Sequence, residues 1–231
     1  MVRIAAIASL IGLGSIGPAW AQDPPPSEPP VVIADLRIEP WHGAVFEQAS
    51  RFQHPSWGER HAQRNLRTAM AIAQAEGLTV DYDVLTAAAY LHDWGGLEPY
   101  EVEGVPHQIR SVELAEPFLR EAGFPMEKWP AVRDAILGHV PNGQPTTPEG
   151  IVLHDADLLD FMGAEGIARF LAAPSDQPTV DQGLSYIEDF GLTLGDRLIT
   201  NEARRLAEPR LAYMSGFLEQ LGSELPPGTQ P

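Results

Sequence analysis

Between about residue 58 and residue 221, apolar side chains return at spacings of three and four far more often than they alternate, which is the period of a helix. Ala62, Leu66, Ala69, Met70 and Ala73 form one stripe, predicting a helix over 58–76 with Gly77 placed to stop it. After Asp81, a residue type suited to cap a helix, Val84, Leu85, Ala88 and Leu91 lead into His92-Asp93, and Trp94-Gly95-Gly96 ends the run. Two further helices are predicted over 108–122 and 127–139, separated by Gly123-Phe124-Pro125. A loop rich in Pro and Gly over 140–150 precedes a fifth helix over 155–171. Segments 181–192 and 201–221 complete the pattern, the last with a kink expected at Pro209. The predicted fold class is all-α, in a single domain without internal repeats.

The ends of the chain read differently. Arg3 precedes an uncharged run of small and apolar residues from Ile4 to Ala19, and Ala19-Trp20-Ala21 offers small residues for cleavage. This is the pattern of a secretory signal peptide over 1–21, too short and too rich in Gly and Ser for a convincing membrane span. The expected location is therefore periplasmic or secreted. Residues 22–40, QDPPPSEPPVVIADLRIEP, read as a Pro-rich tether, and 225–231, LPPGTQP, as a flexible tail. The helical domain is then expected over 41–224.

Composition narrows the chemistry. The formal charge is −17, and loss of residues 1–21 removes Arg3 and no acid, making the mature chain one unit more negative. Such a balance disfavours nucleic acid polymers and anionic membranes. With no cysteine, thiolate catalysis, disulfides, zinc-thiolate sites and iron–sulfur clusters are excluded. Histidines take their place as the reactive type. Five of the seven fall where a helix should face its neighbours or meet a loop: His61, His92, His107, His139 and His154. His139 shares the stripe of Val132 and Ile136, and His92 follows Ala88 and Leu91 in an apolar turn. Imidazoles turned inward need partners, and several converging with carboxylates suit a divalent transition metal.

The segments WGERHAQRNLRTAMAIA, VLTAAAYLHDWG and IVLHDADLLDFMGAEGIARF, with the later LTLGDRLITNEARRLAEPRLAYMSGFLEQL, resemble the HD-domain superfamily of metal-dependent phosphohydrolases across residues 54–222. The resemblance implies an HD-type helical domain holding one or two divalent ions (Mn, Fe, Zn, Ni, Co or Mg). It implies His61, His92, Asp93 and Asp155 as ligands of a first ion, with His92 and Asp93 central to catalysis. It further implies His107 and His139 as ligands of a second ion, bridged to the first by Asp93. The activity implied is hydrolysis of a small phosphoester, whether phosphomonoester, phosphodiester or nucleotide, by metal-activated water. Diiron oxygenases of the same fold, lyase-like uses of the metal, and a non-catalytic metal-stabilised binding module are the competing readings.

Other polar residues receive plainer expectations. Asp157 is read as a helix cap rather than a ligand, Asp160 as a hydrogen-bond or ion-pair partner, and His154 is left out of the ligand set. His54 is read as a loop residue, and His42 has no pattern behind it. Arg110 and Arg169 are read as exposed helical arginines rather than phosphate contacts. The segment WGGLEPYEVEGVP after His92-Asp93 carries no basic residue to meet a phosphate, and export argues against an intracellular nucleotide.

Overall fold

In a computed structural model of the chain, the described residues are 39–52, 54, 56–172 and 180–224, and among them there is helix and no strand. The expected leader, most of the tether and the tail lie outside the described residues. The helices are α1 (Pro40–Ser50), α2 (Glu59–Glu76), α3 (Tyr82–Leu91), α4 (His107–Ala122), α5 (Trp129–Gly138), α6 (Pro148–Asp160), α7 (Gly163–Ala172), α8 (Val180–Asp189) and α9 (Asn201–Glu224). Short 3₁₀ turns at Trp94–Gly96, Met126–Lys128 and Gly191–Arg197 link them. No helix among the described residues is long and apolar enough to cross a membrane.

The caps follow the local chemistry. Asp81 accepts from the amides of Asp83 and Val84 at the start of α3, satisfying donors that the helix itself cannot. Gly77 ends α2 in the left-handed region at φ 66°, where a Cβ would be strained. Three boundaries differ from the periodic reading. α1 begins on the Pro40 that was assigned to the tether, and it buries Trp41 and Val45 against the core. The fifth predicted helix is two: α6 starts earlier, with Thr147 capping Gly150 and Pro148 in its first turn, and a break at Phe161–Met162 precedes α7. α9 is one helix running through Pro209.

α6 forms the axis of the fold, in contact with α2, α3, α5, α7 and α9. Val152, Leu153, Ala156, Leu158 and Leu159 on it are fully buried, so it has no solvent-facing stripe. α2 and α5 flank it and α3 closes the other side, which directs the N-terminal end of α2 and the C-terminal ends of α3 and α5 to one place. Gly95 brings the turn after α3 against α4. A Cβ there would lie 2.4 Å from the amide nitrogen of Ser111 and 2.5 Å from the carbonyl oxygen of His107.

Candidate metal centre

Each polar residue at this junction owes its position to a helix end or to the buried face of a helix. His61 lies in the first turn of α2, and His92 is the residue that ends α3. Asp93 follows at φ −94° and ψ −2°, a turn conformation that sends its side chain back across the helix end. His107 opens α4, His139 ends α5, and Asp157 projects from α6 toward α2.

The hydrogen bonds at the outer ring nitrogens decide the tautomers. His92 donates Nδ1–H to the Ala89 carbonyl at 2.9 Å, and His139 donates Nδ1–H to the Ile136 carbonyl at 2.6 Å. A carbonyl can only accept, so each Nδ1 carries a proton, and Nε2 is the inward atom that offers a lone pair once its own proton is displaced. His61 Nδ1 lies 2.7 Å from Asp160 Oδ2, a carboxylate also bound by Arg64 and Arg169 and therefore held to about 2 despite its burial.

The inward atoms form two groups. His61 Nε2 is 3.2 Å from His92 Nε2, 3.3 Å from Asp93 Oδ2 and 3.1 Å from Asp157 Oδ1. His107 Nε2 is 3.0 Å from His139 Nε2, and these atoms lie 3.6 and 3.5 Å from Asp93 Oδ1. Donors about 2.1 Å from one cation at near right angles stand about 3 Å apart, so these spacings fit a cation between them. Asp93 presents Oδ2 to one group and Oδ1 to the other. All pairs in His61, His92 and Asp93, in His92, His139 and Asp157, and in Asp93, His107 and His139 can offer donor atoms within 4.8 Å of one another.

Electrostatics agrees with a cation-seeking pocket. Burial and the Arg169 guanidinium push His61 down, but hydrogen bonds to Asp157, Asp160 and Asp93 outweigh them and raise it to about 10. Burial would lift Asp93, yet His92, His139 and His61 bring it well below the usual carboxylate range. Asp157 is lowered in the same way, chiefly by His61 acting against burial. His107 is lowered by burial, which favours its neutral, ligating form. Protons therefore fill the place of a cation when none is bound, and cation binding must displace them.

The structure brings five of the six residues named for metal binding into this cluster: His61, His92, Asp93, His107 and His139. Asp155 is not among them. Its carboxylate, fully buried on the opposite side of α6, accepts from the Ile199 amide at 2.8 Å, the Thr200 amide at 2.7 Å and the Thr200 hydroxyl at 2.6 Å. It also pairs with His154 Nδ1 at 3.1 Å, and so fastens the start of α9 to α6. Asp157, expected to be a cap, takes the position assigned to Asp155. Two residues apart on a helix means about 200° of rotation, so both cannot face α2.

Arg169 is also corrected. It is buried rather than exposed, donates to Asp160 Oδ2 at 2.7 Å and to the Ser56 carbonyl at 2.9 Å, and lies 4.1 Å above the Phe161 ring. Arg110 is partly buried, held by the Tyr100 carbonyl and Glu113. His42 is buried in α1, and His54 lies in a loop, as expected, accepting the Ser56 and Trp57 amides at Nδ1. Asn65 was not anticipated: one turn after His61, it donates to Asp157 Oδ1 at 2.9 Å. Its spacing of four from His61 on a buried stripe was the available signal.

The cluster opens into a cavity of about 680 Å³, lined by Asp93, His107, His139 and Asp157 together with aromatic side chains.

Residues 59–162 match the HD domain family. YpgQ of Bacillus subtilis is 39% identical over 88 residues, which is 36% of this chain and 43% of YpgQ, so the matched stretch spans under half of that relative. A solved structure of YpgQ in complex with ADP is similar at a TM-score of 0.62 and 25% identity, covering 80% of this chain and 98% of that one. An HD-superfamily hydrolase from Bacillus thuringiensis gives 0.58 at 26% identity, over 79% of this chain and 95% of the other. A predicted HD superfamily hydrolase from an uncultured Thermotogales bacterium gives 0.55 at 29% identity, over 80% and 90%.

Proposed function

We infer that this HD-type helical domain is a metal-dependent hydrolase of small phosphoesters. The carrying observation is the convergence of three histidine Nε2 lone pairs, fixed by their Nδ1–H bonds, around an aspartate that faces both donor groups. The likeness to HD-superfamily hydrolases supports a metal-dependent hydrolase at the level of the superfamily. The structure of YpgQ with ADP makes phosphate the chemical class to test first.

His61, His92, Asp93 and Asp157 would hold one divalent ion, and His107 and His139, with Asp93 shared, a second. Bound there, such an ion supplies Lewis acidity and activation of water near neutral pH. The chain's own contribution is placement. Asp160, clamped by Arg64 and Arg169, fixes the His61 ring, while the Ala89 and Ile136 carbonyls fix His92 and His139. The donor set of histidines and two carboxylates does not fully neutralise two dications, which leaves charge to attract a phosphate in an otherwise acidic protein. Hydrolysis then transfers phosphorus from the ester oxygen to water, and the alcohol leaves with a proton.

The test is elemental analysis of the purified domain, with phosphate release from a panel of phosphoesters, for the parent and for His92→Ala and Asp93→Ala. Near-stoichiometric metal, lost in both variants together with phosphate release, is the expected result. A protein that takes up no divalent metal even after reconstitution would sink the reading. Two irons per chain with oxygen consumption and no phosphate release would replace it by an oxygenase.

A further inference from the structure

The aromatic part of the cavity lining has a composition that the metal cluster does not explain. Phe161, Phe170, Tyr186 and Phe190, from α7, α8 and the segments beside them, form one connected group of rings. Centroids lie 5.5 Å apart for Phe161 and Phe170, 5.3 Å for Phe170 and Tyr186, and 5.0 Å for Tyr186 and Phe190. Trp57 lines the same cavity from the loop before α2. Tyr186, at 54% exposure, is the most open ring of the group.

No Lys or Arg lines the cavity among the described residues. The nearest cations are committed elsewhere. Arg64 binds Asp160 and Glu165, and Arg169, which binds Asp160 and leaves its Nη2 without a partner, is buried against the Phe161 ring and does not line the cavity. Arg197 sits 5.9 Å over the Phe190 ring and donates to Asn142. A polyphosphate chain extending from the metal cluster would therefore meet rings and no lysine or arginine side chain where it needs positive charge. A planar, uncharged group would meet aromatic faces and edges at stacking distance.

Resting on the phosphoester reading above, we propose that the aromatic wall of Phe161, Phe170, Tyr186 and Phe190 selects the leaving group. The substrate class is a short phosphate, with one or two phosphorus atoms, esterified to an alcohol that bears a planar aromatic group. Selectivity lies in the ring and not in a phosphate tail. The planar group can be an aryl ring or a nucleobase, and the two sources are separated by experiment.

Binding is measured by titration calorimetry on the manganese-loaded protein, with 1-naphthylphosphonate and methylphosphonate as probes that are not hydrolysed, and with AMP and ATP. Naphthylphosphonate should bind at least about tenfold more tightly than methylphosphonate. Tyr186→Ala, at an exposed position, should weaken the naphthyl probe about 2- to 10-fold and leave the methyl probe unchanged, the range expected for one lost ring contact. AMP matching naphthylphosphonate identifies the nucleobase as an accepted ring, while AMP behaving like methylphosphonate restricts the class to aryl esters. Equal binding of the naphthyl and methyl probes, or ATP binding tenfold more tightly than AMP, overturns the proposal. Phosphate release is scored separately. Ring-selective binding without hydrolysis of any ester refutes the hydrolase reading and keeps the ring selectivity, whereas hydrolysis of methyl and naphthyl phosphates at equal kcat/KM in parent and Tyr186→Ala does the reverse.

Discussion

Asp155 and Asp157 stand two residues apart and offer opposite predictions. In Asp155→Asn, one oxygen can still accept from the Ile199 amide, but an NH₂ group would then face the Thr200 amide, a donor, and would meet the Thr200 hydroxyl only if that group turned from donating to accepting. Two buried hydrogen bonds to a carboxylate are lost, each contributing about 1.5 kcal/mol or more, for a total of about 3 kcal/mol. For a domain of this size that corresponds to a fall in Tm of about 6–12 °C. Metal affinity should hold, because Asp155 lies on the far side of α6. In Asp157→Asn the anionic oxygen beside His61 is removed. Loss of hydrogen-bond partners behind metal ligands already costs about 10–100-fold in affinity, so loss of the ligand itself should cost at least about 100-fold. The assay is equilibrium dialysis against manganese or zinc, paired with thermal melts in chelator. If Asp155→Asn loses metal at unchanged Tm while Asp157→Asn keeps it, the assignment of the two carboxylates is wrong.

Four shorter predictions stand beside it, three from the geometry and one from the sequence of the leader. His61, raised from 6.5 to about 10, contributes stability to the metal-free domain that is fully present below pH 6.5 and lost as pH rises through about 10. The Tm of chelator-treated protein should fall across that window while metal affinity climbs, with protons released on binding near neutrality; calorimetry in buffers of different ionisation enthalpy reads this, and a pH-independent affinity would contradict it. Gly95→Ala drives a Cβ into the backbone of α4, at a cost of about 1–3 kcal/mol, and should weaken binding at the Asp93, His107 and His139 group more than at His61 and His92, as a two-site metal titration would show. Asp160→Asn frees the His61 ring and should lower metal affinity about 10–100-fold with the domain still folded; an unchanged affinity argues against the clamp. Export with cleavage after Ala21 should give a mature N-terminus at Gln22, which intact-mass measurement of protein from a secreting host would find or exclude.

The sequence by itself determined the helical class, most helix positions and, through its resemblance to the HD superfamily, five residues of the cluster. Amphipathic helices such as α2 announce their buried face, and His61, His92 and His139 fall on apolar stripes or at the ends of apolar runs, where a turn of the chain must meet other elements. α1 was missed because Pro40 and the prolines before it masked the short helix that buries Trp41. Tertiary structure alone decided the sixth residue of the cluster, a carboxylate. α6 is buried on every side from Glu149 to Asp160, so no polar face marks which way Asp155 and Asp157 point. The partners do: His61 and Asn65 of α2 receive Asp157, and the start of α9 receives Asp155. The same holds for Arg169, whose burial depends on the end of α6, with Asp160 and Phe161, meeting Ser56 of the loop before α2. A helix period fixes the angle between two side chains, but only the packing of the other helices fixes what lies at each end of that angle.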